Sequence, residues 1–227
     1  MPSDDQIFGQ IRALHRTSSD EEIIGVIQTI ARRCPADAEV AASLAQILAG
    51  IGGSIAFDHP LIADVASTGG PSSLSTLLAP LFLREGGAIV PKLGVPGRPA
   101  GGIDCLAQIP GYHSTLTREE VETVLASGGY AHFLAAGEMA PLDGRMFRLR
   151  QDCGAQAVPT LVAASLLSKK IAVGIKYAGL DIRVATHGNF GTDMPSARAN
   201  GKLFIQTASQ LGIHASSLLT EIGRAHV

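Results

Sequence analysis

Asp64-Val65-Ala66-Ser67-Thr68-Gly69-Gly70-Pro71-Ser72-Ser73-Leu74-Ser75-Thr76 is the stretch on which the reading of the fold turns. The apolar run over 61–66 predicts a buried strand, and the Gly- and Ser-rich turn leads into an apolar helix. A second strand over 88–91 ends in another Gly- and Pro-rich loop, 92–102. Strand, glycine turn, hydroxyls and helix start together make an anion site. Glycines let the backbone approach a phosphate, helix-start N–H groups point at it, and Ser and Thr add donors. Lys92 and Arg98, in the second loop, add charge-assisted bonds. The same residue types also suit an ordinary strand-to-helix turn, with Ser and Thr as caps. Two common phosphate motifs are excluded, because no Gly-Lys-Ser/Thr closes the turn and no Gly-x-Gly-x-x-Gly follows the strand.

Working outward, the character of the chain changes near residue 56. Before it, helices are expected over 4–17, 20–33 and 38–48. The second carries Ile23, Ile24, Ile27 and Ile30 at helical spacing behind a Ser19/Glu22 capping box. After it, strands and helices alternate, which points to an α/β domain. Helices are expected over 103–109, 118–126, 139–150, 159–171 and 196–211, and further strands over 130–135, 180–185 and 214–219. Thr117 and Glu120 form the second capping box. Ser165 and Lys169 are four apart and share one helix face. Lys170 points about 100° away, off the Ser165 face, and is expected to be a surface lysine.

Composition narrows the function classes. With 227 residues, the chain is long enough for one large domain or two small ones. A net charge of −2 with both signs interspersed argues against a nucleic-acid binder, and 4% aromatics without Trp argues against base-stacking platforms. Cys34, Cys105 and Cys153 form no close pair, which suits reduced thiols in a cytoplasmic protein. The N-terminus has no signal-peptide pattern, and the apolar run over 161–167 stops at Lys169-Lys170, too short for a membrane span. The seven His show no metal-ligand spacing, so no metal is expected. His187, after the strand over 180–185, is a candidate contact, and the other six read as core or surface residues. The tail 221–227 resembles a translated sequencing-library adapter, so the native sequence is expected to stop near Thr220.

Several blocks in order resemble the pyrimidine nucleoside phosphorylases, the thymidine phosphorylase family, whose superfamily includes anthranilate phosphoribosyltransferase. They are Ser67-Thr68-Gly69-Gly70, Gly101-Gly102 with Ile109-Pro110-Gly111, Ala140-Pro141-Leu142-Asp143, the run 164–170, and Leu180-Asp181-Ile182-Arg183-Val184. The resemblance covers about 7–220 and the N-terminal half of the family's length. It implies an α/β class fold: a small all-α domain facing an incomplete mixed α/β domain across a cleft. The helical domain would be 1–56 with 139–172, and the α/β domain 57–138 with 173–220.

The resemblance further implies phosphorolysis, in which nucleoside and inorganic phosphate give base and pentose 1-phosphate without a cofactor. Arg150, Ser165 and Lys169 keep the spacings of the family's base site, where they would stabilise charge on the departing base. Ser67, Thr68, Gly69, Gly70, Ser75, Thr76 and Lys92 would hold phosphate. The family has Lys-His where this chain has Val65-Ala66, so its anion site is rebuilt. Lys92 and Ser75-Thr76 resemble the phosphoribosyltransferase relatives instead. A non-catalytic binder of a phosphorylated ligand and a phosphoribosyltransferase are therefore the alternatives. A homodimer through the N-terminal helices is expected, with no nucleic-acid or membrane partner.

Overall fold

A computed structural model describes residues 4–68, 74–97, 101–134, 137–186 and 190–221. Three helices come first: α1 (Asp4–Arg12), α2 (Asp20–Arg33) and α3 (Ala38–Gly50). Strands and helices then alternate through β1 (Ala63–Ser67), α4 (Leu74–Glu85), β2 (Val90–Gly94), α5 (Gly102–Leu106), α6 (Arg118–Gly128) and β3 (Tyr130–Leu134). Two consecutive helices follow, α7 (Pro141–Asp152) and α8 (Pro159–Ala172), and then β4 (Tyr177–Val184), α9 (Met194–Gln210) and β5 (His214–Glu221).

Local chemistry sets the helix ends. Both capping boxes form: Ser19 with Glu22 opens α2, and Thr117 with Glu120 opens α6. Asp193 caps α9 in the same reciprocal way with Ser196. The first helix is shorter than the expected 4–17. The Ser18 hydroxyl accepts from the His15 N–H at 3.0 Å, and the Ser18 N–H donates to the His15 carbonyl, so a closed turn replaces the last helical turn.

The described strands pair in parallel. One sheet has the order β1-β4-β5, and β2 pairs with β3. A parallel bridge between Ile62 and Ile89 joins the two groups at their N-terminal ends. Parallel strands covered by helices read as near-continuous apolar runs, and the burial of β2 and β4 fits that rule. One apolar core runs from Ile7 through Leu44, Phe133 and Leu167 to Phe204. Within it α3 lies on α8, α2 on α7, and α9 packs on α3 and α8 as well as on β4 and β5.

The link between the α2–α3 turn and α8 fixes where the second helix pair starts. The Thr160 hydroxyl donates to the Cys34 carbonyl at 2.5 Å and accepts from the Asp37 N–H at 2.8 Å, while the Thr160 N–H donates to the Pro35 carbonyl. The other end of that pair is set where residues 52–53 run against 138–140. There Gly53 N–H donates to the Glu138 carbonyl, and a Cβ on Gly52 would lie 2.4 Å from that same oxygen. Gly52 also has φ of +152°, so glycine is required twice over. Among the described residues, no helix is long and apolar enough to cross a membrane.

Candidate functional site

A pocket opens between the C-terminal ends of β1, β2 and β3 on one side and α7–α8 on the other. Its polar lining includes Ser67, Thr68, Thr76, Lys92, His132, Arg150, Ser165, Lys169 and Lys170. Its apolar lining is Phe147, Val162 and Leu166 beside the Arg150–Ser165–Lys169 group, and Ala66, Leu93, Val95 and Ile103 on the strand side. An apolar wall with a few convergent polar groups is the usual composition of a small-molecule site.

On the helical side, Arg150 and Asp143 stand two turns apart on α7, both buried and both turned to α8. Lys169 donates to Asp143 Oδ2 at 2.7 Å, to Ser165 Oγ at 3.0 Å, and to the Ser165 carbonyl. All three N–H donors of this ammonium are thus committed inside the protein. Burial pushes Lys169 below its ordinary value, Asp143 opposes that, and Lys170 and Arg150 add to it. Arg150 donates to the Leu161 carbonyl at 3.1 Å and the Gln156 carbonyl at 2.7 Å, which ties the α7–α8 connection to its own helix.

On the strand side, Asp64 is a buried carboxylate shared by two lysines. Lys92, from β2, donates to its Oδ1 at 2.8 Å, and Lys170, from α8, donates to its Oδ2. Burial alone would raise the Asp64 carboxyl, but Lys170 and Lys92 outweigh it and hold the group below its usual range. Lys92 also donates to the Val65 carbonyl at 2.5 Å, at the residue where the resemblance puts a lysine. Burial pushes Lys92 down, with Asp64 opposing and Lys170 reinforcing. Two ammonium groups on one carboxylate leave one positive charge over, at the pocket wall. Among the described residues, one Lys92 donor and two Lys170 donors have no protein acceptor.

The expected residues are therefore placed as follows. Arg150, Ser165, Lys169, Ser67, Thr68, Thr76 and Lys92 come together on one pocket. Ser75 does not line it: its hydroxyl donates to Asp181 Oδ2 at 2.8 Å and accepts from Arg183 at 2.6 Å. Gly69, Gly70, Arg98 and His187 lie outside the described residues. Lys170 corrects the sequence expectation. It is 3% exposed and lines the pocket, because α8 packs on β2 and its Lys170 ammonium reaches Asp64 on β1 rather than solvent. His132 was missed. It lies directly beside Lys92 in the β2–β3 register, a relation that no sequence spacing displays. Burial, then repulsion from Lys92, lowers its pKa to about 3, so the ring is neutral.

No family model matches the chain. Its sequence is 33% identical over 208 residues to the thymidine phosphorylase of Mycobacterium tuberculosis, covering 90% of this chain and 48% of that protein. Against the thymidine phosphorylase of Sinorhizobium medicae it is 30% identical over 169 residues, with 73% and 38% covered. The chain thus spans about half the length of the curated relatives it matches. Among solved structures, the anthranilate phosphoribosyltransferase of Thermus thermophilus superposes with a TM-score of 0.64 at 17% identity, over 93% of this chain and 60% of that one. The Saccharomyces cerevisiae enzyme in complex with PRPP and Mg gives 0.61 at 14% identity, over 94% and 57%. The backbone is therefore that of the phosphorylase and phosphoribosyltransferase fold. In sequence the chain is similar to the thymidine phosphorylases over about half their length, and in fold it is similar to the anthranilate phosphoribosyltransferases.

Proposed function

We propose that the chain carries the substrate pocket of a pentosyltransferase of thymidine phosphorylase type, which splits a pyrimidine nucleoside with inorganic phosphate into base and pentose 1-phosphate. The observation that carries this reading is the division of the pocket. Arg150, Ser165 and Lys169 stand on α7 and α8 beside Phe147, Val162 and Leu166, and the positive charge left over on Lys92 and Lys170 stands by Asp64 on β1.

The chemistry follows from that division. The bond between sugar C1 and the base nitrogen breaks, its electron pair leaves with the base, and a phosphate oxygen bonds to C1. Charge developing on the base favours two fixed cations and a hydroxyl over the same groups in water. A phosphate offsets the surplus charge of the two lysines, which is otherwise costly to bury. In this reading Ser67, Thr68, Gly69, Gly70 and Thr76 complete the phosphate site with Lys92, and Lys170 joins them, while Ser75 serves the Asp181–Arg183 pair beside it. Segments 1–56 and 139–172 form the helical domain, and 57–138 and 173–220 the α/β domain. No metal or organic cofactor takes part, the protein is cytoplasmic, and the N-terminal helices form a homodimer.

A second reading has one observation in its favour. The surplus charge at β2 suits a pyrophosphate as well as a phosphate, which is the ligand chemistry of a phosphoribosyltransferase. Incubation with a panel of nucleosides and phosphate, following base release by chromatography, tests the first reading. Release from a pyrimidine nucleoside is the expected result. No release from any nucleoside, with turnover of a pentose pyrophosphate donor, would move the assignment to the second.

A further inference from the structure

His132 is a buried imidazole whose ring has one long side-chain hydrogen bond among the described residues. Its Nδ1 is 3.4 Å from the Tyr130 hydroxyl, too long for a strong bond, and its Nε2 bonds no described residue. The charged groups around it are Lys92 on β2, Lys170 on α8 and the Asp64 between them. Two glycines bracket the ring. A Cβ at Gly94 would lie 3.3 Å from Nε2, and a Cβ at Gly102 would lie 2.9 Å from Cε1. Any side chain there would cover the Nε2–Cε1 edge, and glycine at both positions keeps that edge open to the pocket. The same Cβ at Gly102 would lie 2.5 Å from Thr76 Cγ2, so Thr76 and His132 are neighbours across the glycine. The Thr76 hydroxyl is buried and has no hydrogen-bond partner.

We propose that His132 is a ligand-contacting residue of this pocket, whose Nε2 edge, with the Thr76 hydroxyl, hydrogen-bonds the oxygens of the same phosphate group that Lys92 binds. This rests on the reading of the pocket as a phosphate-bearing site, in which Thr76 already has a place, and extends it to the neutral imidazole of His132. A lysine supplies charge without direction, whereas an imidazole and a hydroxyl supply directed bonds that fix how the phosphate is turned.

The test is titration of the protein with inorganic phosphate, observing the ring 15N resonances of histidine and measuring Kd by calorimetry. Phosphate should move the His132 ring resonances, His132→Phe should raise Kd about tenfold or more, and His132→Gln, which keeps a donor, should stay within about threefold. A His132→Phe variant that binds as the wild type does, while Lys92→Ala loses binding, overturns the proposal and leaves the phosphate reading standing. A wild-type protein that binds no phosphate overturns both. Should His132→Phe fail to fold, the wild-type spectrum decides: unmoved His132 resonances at saturation overturn the proposal.

Discussion

Lys170 ion-pairs with Asp64 on β1, while Lys169, the residue before it, ion-pairs with Asp143 on α7. Neighbours on one helix turn thus serve separate carboxylates on the two sides of one pocket. The cost of losing each differs for that reason. Lys169→Ala removes the cation that faces Asp143, a fully buried carboxylate, and should cost about 3–5 kcal/mol. Lys170→Ala leaves Asp64 paired with Lys92 and should cost less. Urea unfolding of both variants checks the order, and a more damaging Lys170→Ala would contradict the pairing described.

The proposed reaction makes a separate kinetic claim. Lys169→Ala should lower kcat and kcat/KM together, by about 10²–10³-fold, if the ammonium meets charge that develops on the leaving base. Ser165→Ala should be milder, since a hydroxyl carries no charge. Lys170 is no neutral comparison, because it lines the same pocket. Lys202, exposed on α9, is the proper control, and Lys202→Ala should leave the rates unchanged. Equal losses in Lys169→Ala and Lys202→Ala would remove the reason for placing the base there.

Gly102→Ala tests the shape of the strand-side wall. Its added methyl would meet Thr76 and His132 at 2.5 and 2.9 Å, distances that real Cβ contacts do not show. Backbone strain is not the issue, since Gly102 opens α5 as an ordinary helical residue. The variant should stay folded with little change in Tm, and phosphate affinity should fall as Thr76 and His132 are pushed apart. Unchanged affinity in calorimetry would show that the two side chains yield without consequence.

The outer face of α4 makes a claim about solubility. Leu74, Leu78, Leu81 and Phe82 stand at i, i+4, i+7 and i+8, and Phe82 is 75% exposed. A contiguous apolar stripe of this kind drives association in water. Light scattering should show concentration-dependent self-association that Phe82→Lys reduces. The same scattering curve for both proteins would mean that the stripe is inert.

The legible parts of the chain were those written locally. Ser19 with Glu22 and Thr117 with Glu120 mark helix starts three residues apart, and the structure has both. The end of α1 was not legible, because apolar spacing continues past Arg12 and only the Ser18 side chain, turning back on His15, stops the helix. The base-side group was readable because Ser165 and Lys169 are one turn apart. The strand-side cluster was not, because the partners of Asp64 are 28 and 106 residues away. A lone acidic residue in an apolar strand carries no sign of which lysines will reach it. His132 was hidden for the same reason, since its neighbour Lys92 is defined by strand register.

The neutral state of His132 gives the last prediction, on stability against pH. Its pKa falls to about 3 in the fold, against about 6.5 in an unfolded chain. Between those values the unfolded state holds a proton that the native state refuses. Stability therefore rises with pH through this window and is lost as pH drops, by up to about 1.4 kcal/mol per pH unit. Asp64 acts lower down. Its depressed carboxyl contributes stability above the ordinary carboxylate range, lost as pH falls through the folded value. The two effects separate between pH 6 and 4, where Asp64 is still ionised and the unfolded-state histidine is taking up its proton. Urea midpoints measured over that range should fall steeply for the wild type and more gently for His132→Gln, which has nothing to titrate. The difference should vanish above pH 7, where histidine is neutral in both states. Parallel curves for the two proteins would mean that His132 takes up its proton in the fold as it does unfolded, and that burial and the lysines beside it do not hold it neutral.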